Sequence, residues 1–238
     1  MTEDLKLDIL AFSAHPDDIE LAAAGTLIKL TKQGYAVGIA DMTRGEFGTR
    51  GTQQIRQKEA EEAGSLIGVK IRECLDIPDG SVTVTRENHL KVIRLLRKYR
   101  PQIILNHYWR ARHADHIATS QIVTEACYLS GLAKLDTGQN RWRPKRILYH
   151  QVLYDVVPSF VVDVSEEIEQ KWRAIKAHKS QFHDPESNEP QTILSDPSFL
   201  DMIETRMKYW GGLIGVSHAE PFLTTEPFAI PDLVEAMG

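Results

Sequence analysis

The feature that most constrains this chain is a repeated alternation. Four short, largely apolar runs lie at residues 8–14, 36–42, 70–77 and 103–106, and each is followed by a segment of helical periodicity, at 19–33, 52–67, 86–99 and 116–131. The run at 8–14 carries apolar residues without polar alternation, which reads as a strand buried on both faces. Gly34 closes the first helix, Pro78-Asp79-Gly80 turns the chain after the third strand, and Pro101 stops the helix that precedes it. Strands alternating with helices predict an α/β fold, Rossmann-like, with a mostly parallel sheet and helices on both faces.

The last third is less regular. Residues 147–153 and 160–164 read as strands, and 165–181 as a helix with Ser165 as N-cap and glutamates in its first turn. A polar, proline-containing loop follows at 182–197, then a final helix at 198–210. No repeat or linker divides the chain. One domain over 1–238 is expected, with 1–135 carrying the site and 136–238 completing the pocket. Its 238 residues suffice to bury a core without staples. A net charge of -5 argues against a nucleic-acid partner. No run approaches the roughly 20 apolar residues of a membrane helix. The acidic start reads as no signal peptide, so a cytoplasmic location is expected. Cys74 and Cys127 then read as reduced thiols, neither with a partner at ligand spacing.

The polar residues fall at one edge. His15-Pro16-Asp17-Asp18 follows the first strand, Thr43-Arg44-Gly45-Glu46 the second, Asp79 the third, and the stretch from His107 to His116 the fourth. In open α/β sheets the ligand crevice lies at the carboxyl ends of the strands. An imidazole and a carboxylate three residues apart can grip one cation, and zinc accepts such N and O donors. A second imidazole, from His113 or His116, would make three protein ligands and leave a position for water, the mark of a catalytic rather than a structural zinc. Each cluster alone has a plainer reading: a solvated histidine, or aspartates that favour a helix dipole. Two such clusters at neighbouring strand ends favour a shared metal.

These residues resemble the LmbE-like, or PIG-L-like, deacetylase family. Its first motif is His-Pro-(Asp/Glu)-Asp and its second His-Pro-Asp-His, matched here by His15-Pro16-Asp17-Asp18 and His113-Ala114-Asp115-His116. The likeness extends to Gly25-Thr26, His178-Lys179-Ser180-Gln181 and Ala219-Glu220. The stretch from Thr43 to Thr52, followed by Arg56, is most similar to the bacillithiol-biosynthesis branch, which acts on N-acetylglucosaminyl-malate. Ala114 replaces the usual proline, and His218 stands where that branch often has tyrosine.

The resemblance implies His15, Asp18 and His116 as metal ligands, with zinc as cofactor and iron(II) as an alternative, and Asp17 as general base. His113 would stabilise the oxyanion as an imidazolium, with Asp115 orienting it. Arg56 and Arg112 are expected to grip the malate carboxylates, since guanidinium forks suit them. Arg44, Glu46 and Asp79 would meet sugar hydroxyls or hold loops. Tyr108 and Trp109 would pack on a sugar ring or in the core. The partner is then a small N-acetylglucosamine-type substrate, and the protein a homo-oligomer, hexamers being known among relatives. The alternatives are a deacetylase of chitin-derived sugars and a metal-binding α/β protein without catalysis. A nucleotide-binding module would want a Gly-rich turn where the chain has two carboxylates.

Overall fold

A computed structural model describes residues 5–152, 156–232 and 234. Five strands form one parallel sheet: β1 (Ile9–Ser13), β2 (Val37–Asp41), β3 (Ile71–Cys74), β4 (Ile103–His107) and β5 (Arg146–His150). Their order is β3-β2-β1-β4-β5. The helices between them are α1 (Asp18–Lys32), α2 (Gln53–Ile67), α3 (Arg86–Tyr99) and α4 (Ala114–Leu129). After β3 the chain returns to the other side of β1. The order therefore reverses between β1 and β4, and a crevice opens at their carboxyl ends.

β1 is buried along its whole length and sorts its side chains to the two faces. Leu10 and Phe12 enter one core with Ile93, Leu96 and Ile122 of α3 and α4. Ile9 and Ala11 enter the other with Leu27 of α1 and Ile67 of α2. Threonines start two of the helices as expected of good N-caps: Thr52 accepts from the Ile55 N–H and Thr85 from the Asn88 N–H.

The chain then forms β6 (Phe160–Asp163), α5 (Ile168–Ala177), α6 (Pro197–Leu213) and β7 (Ala219–Phe222). β6 and β7 pair antiparallel, and Tyr149 of β5 bridges to Leu223 just beyond β7. The expected 165–181 helix is shorter. Ser165 is not its cap, because its N–H is held by Asp163 and its hydroxyl meets the His218 carbonyl; Glu167 stands at the helix start. At the other end Ser180 leaves the helix to bond Glu59 of α2 through its N–H and hydroxyl, both at 2.7 Å. The third strand stops at Cys74 rather than residue 77, since Asp76 adopts a φ of 51°. The fifth ends at His150, and Leu153, expected within it, lies outside the described residues. The 182–197 segment is not simply a surface loop: Phe182 and Ser195 are buried.

Two fragments distant in sequence meet at α1. The Glu220 carboxylate of β7 accepts from the N–H groups of Gly25 and Thr26, at 2.9 and 2.8 Å, and from Lys171 Nζ at 2.6 Å. A Cβ on residue 25 would sit 2.8 Å from Val164 and 2.9 Å from Glu220, so only glycine permits this approach. No helix among the described residues is long and apolar enough to cross a membrane.

Candidate metal centre and active site

The strand ends deliver three donors to one point. His15 stands two residues beyond β1, Asp18 opens α1, and His116 sits in the first turn of α4, whose N-cap is His113. His15 Nδ1 lies 3.3 Å from His116 Nε2 and 3.4 Å from Asp18 Oδ2, and His116 Nε2 lies 3.2 Å from Asp18 Oδ1. Bonds of about 2.0–2.1 Å in a tetrahedral zinc site put its ligand atoms about 3.4 Å apart. The three side chains therefore fit one divalent cation. The surrounding charges favour a cation, and a bound metal would displace the proton they hold on His15. Burial alone would disfavour the His15 imidazolium, yet Asp115, Asp18 and Asp79 together raise it well above its ordinary range. Burial also opposes ionisation of Asp18, but His116 and His15 hold its carboxyl well below the usual carboxylate range.

Three other groupings are possible by distance: His15–His113–His116, which shares both histidines of the triad and puts His113 in place of Asp18, Asp18–His107–His116, and His15–Asp79–Asp115. Hydrogen bonding argues against the last two. His107 Nε2 accepts the Ala14 N–H at 2.9 Å, so its lone pair is taken. Asp79 and Asp115 face the opposite nitrogen of His15: Nε2 lies 3.1 Å from Asp79 Oδ1 and 3.4 Å from Asp115 Oδ2. Both are themselves held, Asp79 by the Phe47 N–H and Asp115 by the N–H groups of Gly80 and Val82. They orient the His15 imidazole. This corrects the expectation for Asp115, whose carboxylate serves His15 and the Gly80 loop, while His113 meets only its backbone N–H, at 3.2 Å. Burial first, then His15 and His116, lower the His113 pKa, which disfavours the expected imidazolium. Because Nδ1 accepts from Asp115, the neutral ring carries its proton on Nε2.

Asp17 is 4 % exposed and has a backbone φ of 135°, a region that L side chains rarely adopt, at a cost of about 1–3 kcal/mol. It stands at the N-cap of α1 without capping it. Burial pushes its carboxyl up to about 6, although Arg56 Nη2 lies 3.0 Å from its Oδ2 and opposes the rise. Arg56 departs from expectation most. It is 4 % exposed, and its fork is already occupied: Nη1 donates to the Gly45 carbonyl at 2.7 Å and Nη2 to the Pro16 carbonyl at 2.9 Å. Three of its five N–H groups are spent on the protein, leaving one on Nη1 and that of Nε.

The three donors open on a cavity of about 590 Å³ that also holds Asp17, Arg56, Arg112 and His113. Arg112 is exposed and lines it. Arg44 lies elsewhere, paired with Asp76 beside a smaller cleft, and Glu46 accepts the Asp79 N–H at 2.8 Å, a loop clamp. Trp109 turns away from the cavity to pack edge-on against Tyr149, with ring centres 5.1 Å apart, and Tyr108 packs on Trp109. The exposed ring at the rim is Phe47, 75 % exposed on the glycine-rich loop after β2. His218 bonds Glu204 of α6 and is not part of the cavity wall. His107 and His150, paired in register on β4 and β5, stand behind His116, with ring centres 4.4 Å apart for His107 and His116 and 4.6 Å for His107 and His150. Burial brings His150 down to about 4.

A switch-point crevice with histidine and aspartate donors converging on one point and a buried carboxylate beside them suits metal-assisted hydrolysis. The family described as PIG-L, GlcNAc-PI de-N-acetylase, matches residues 10–127. Diacetylchitobiose deacetylase of Thermococcus kodakarensis is 29 % identical over 226 residues, 89 % of this chain and 80 % of that protein. A probable N-acetyl-alpha-D-glucosaminyl L-malate deacetylase 2 of Bacillus anthracis is 26 % identical, over 73 % of this chain and 81 % of its own. The crystal structure of a conserved protein of Thermus thermophilus superposes with a TM-score of 0.86 at 34 % identity, covering 94 % of this chain and 98 % of that one. The chain belongs to the PIG-L (LmbE-like) family and is a deacetylase.

Proposed function

We propose that the protein removes the acetyl group from the amide nitrogen of an N-acetylglucosamine conjugate, with zinc held by His15, Asp18 and His116. The observation that carries this reading is the 3.2–3.4 Å ligand triangle with buried Asp17 beside it. Iron(II) suits the same donors. A divalent cation there would supply Lewis acidity, bringing the pKa of water from about 15.7 towards 7. Asp17 takes the proton of the attacking water; with its carboxyl near 6 it is ionised at neutral pH yet basic enough to accept. The His113 Nε2–H donates to the acetyl oxygen as negative charge gathers on it, and needs no second proton to do so. Asp17 then returns its proton to the departing amine.

The remainder of the substrate is read from the cavity wall. The expectation of N-acetylglucosaminyl-malate needed two arginines for two carboxylates, and three of the five N–H groups of Arg56 are spent on the protein. Among the described residues Arg112 is the one exposed lysine or arginine in the wall, which also carries Gln151, Gln181, Gln191 and Thr192. Amides and hydroxyls match sugar hydroxyls, which favours an uncharged saccharide such as a chitin-derived disaccharide. The malate conjugate is the second reading, through Arg112.

Mass spectrometry of acetate and amine products from diacetylchitobiose and from N-acetylglucosaminyl-malate tests this. Turnover of the disaccharide with the higher kcat/KM, abolished by chelation and restored by zinc, is expected. Unchanged turnover after complete metal removal sinks the mechanism. Preference for the malate conjugate sinks the saccharide reading alone.

A further inference from the structure

We propose that His107 is a positioning residue for the metal ligand His15; this rests on His15, Asp18 and His116 holding the cation. The need for it arises in the sheet. β1 pairs with β2 as far as Ser13 and Asp41, but with β4 only as far as Ala11 and Leu105. Beyond that point β1 and β4 part, which opens the crevice and ends the ladder between them. The Ala14 N–H then has no backbone acceptor among the described residues, although Ala14 is fully buried. A buried N–H left unpaired is costly. The acceptor it finds is Nε2 of buried His107, the last residue of β4, at 2.9 Å. The Ala14 carbonyl is held from the other side, by the Thr43 N–H at 3.1 Å and the Thr43 hydroxyl at 2.9 Å. Both backbone polar groups of the residue before His15 are thus fixed, one from β4 and one from the loop after β2.

His107 is a wedge as well as an acceptor. Its ring stands against those of His116 and His150, with centres 4.4 and 4.6 Å away. The residue before it completes the junction: Asn106 Nδ2 donates to the Ser120 carbonyl at 3.0 Å, one turn beyond His116 on α4, and Asn106 Oδ1 accepts the His107 N–H at 2.9 Å. The end of β4 therefore reaches both ways, from Asn106 to the helix that bears His116 and from His107 to the strand that delivers His15. Those two ligands are 101 positions apart in the chain, and this junction sets their distance. His107 does not line the cavity, so it acts without touching substrate. What it contributes is an acceptor at the Nε2 position. A glutamine carbonyl can stand close to that position, an asparagine carbonyl falls short of it, and leucine has no acceptor at all.

The test measures zinc affinity by competition with a chromophoric chelator, and kcat and KM on diacetylchitobiose at saturating zinc, for the parent and for His107→Leu, His107→Asn and His107→Gln. Losing a group that orients a metal ligand costs about 10- to 100-fold in metal affinity or activity. His107→Leu is expected to bind zinc that much more weakly and to lose kcat, with KM within about twofold. His107→Asn should follow it, which keeps the result readable if the leucine variant does not fold. His107→Gln should stay within about threefold of the parent in zinc affinity, because it restores the acceptor. Glutamine binding zinc as poorly as leucine or asparagine would make the imidazole itself a ligand and overturn the proposal. Parental zinc affinity in both the leucine and asparagine variants would overturn it too, as would a raised KM with unchanged kcat. A His116→Ala variant that binds zinc as tightly as the parent would instead refute the ligand set on which the proposal rests.

Discussion

Two buried arginines stand near the first turn of α1, and they differ in how fully they are matched. Arg72 of β3 spends its fork on two carboxylates: it bonds both oxygens of Asp41, at 2.7 and 3.0 Å, then Glu20 and the Ala60 carbonyl. Arg56 of α2 faces one carboxylate oxygen and two backbone carbonyls, and its Nε has no partner among the described residues. Burial also raises the Asp41 carboxyl despite Arg72, but Glu20 and Asp17 respond oppositely. Burial opposes ionisation of Glu20, but Arg72 and His178 bring it down to about 2, while burial carries Asp17 up to about 6 despite Arg56. Two carboxylates three positions apart at the start of α1 thus serve a locked junction in one case and a poised proton acceptor in the other. What separates the two is how many strong partners each carboxylate has.

The largest effect expected from this contrast is on stability. Arg72→Ala strands Glu20 and Asp41 in the interior, and breaking a buried pair from one side costs about 3–5 kcal/mol. For a chain of this size that is a fall in Tm of about 10 °C. Arg56→Ala should lose less than half as much in thermal unfolding of the metal-free protein. Equal losses would erase the distinction.

The pH dependence of unfolding should then separate Glu20 from Asp17 in sign. A Glu20 carboxyl lowered from 4.5 to about 2 contributes about 3 kcal/mol above pH 4.5, and that is lost as pH falls towards 2. An Asp17 carboxyl raised from 3.8 to about 6 costs about 3 kcal/mol above pH 6, and the cost fades as pH falls to 3.8. In urea titrations of metal-free protein at pH 7, Glu20→Gln should destabilise and Asp17→Asn should stabilise, with both differences shrinking at pH 4. Two variants moving the same way would show that the environments are alike.

The smallest expected effect belongs to Phe47. An aromatic face stacked on a ring contributes about 0.5–1.5 kcal/mol, so Phe47→Ala should raise KM for a saccharide about three- to tenfold. Because the ring is 75 % exposed, the variant's melting temperature should be unchanged. An unaltered KM would remove Phe47 from the binding surface.

Much of the frame was legible because the chemistry of burial is local. An unbroken apolar run at 8–14 has one good use in a parallel sheet, and once four such strands align, His15, Asp18 and His116 must share an edge. β7 was not legible: four residues that include Pro221 and Glu220 carry no strand pattern, and the segment is held by a side chain reaching α1. The contacts of Arg56 were not legible for a related reason. Nothing in a helix sequence says whether an arginine points to solvent or back to a residue 39 positions earlier, and the trace it leaves is indirect, in the glycines at 45 and 48 that make room for it. His107 and His150 meet by lateral register between strands, which spacing along one chain does not encode. Of the two readings open for the aromatic pair at 108 and 109, a sugar ring or packing within the protein, the fold takes the second, with Trp109 against Tyr149.

The bond from Glu220 to Gly25 and Thr26 has a consequence in time. A ribosome makes the helix that bears Asp18 early, and the strand that steadies that helix nearly two hundred residues later. Until residue 220 has cleared the exit tunnel, Gly25, Thr26 and Lys171 lack the carboxylate they share in the finished protein. A nascent chain stalled before that point should therefore hold a metal ion poorly even though every ligand has already been synthesised.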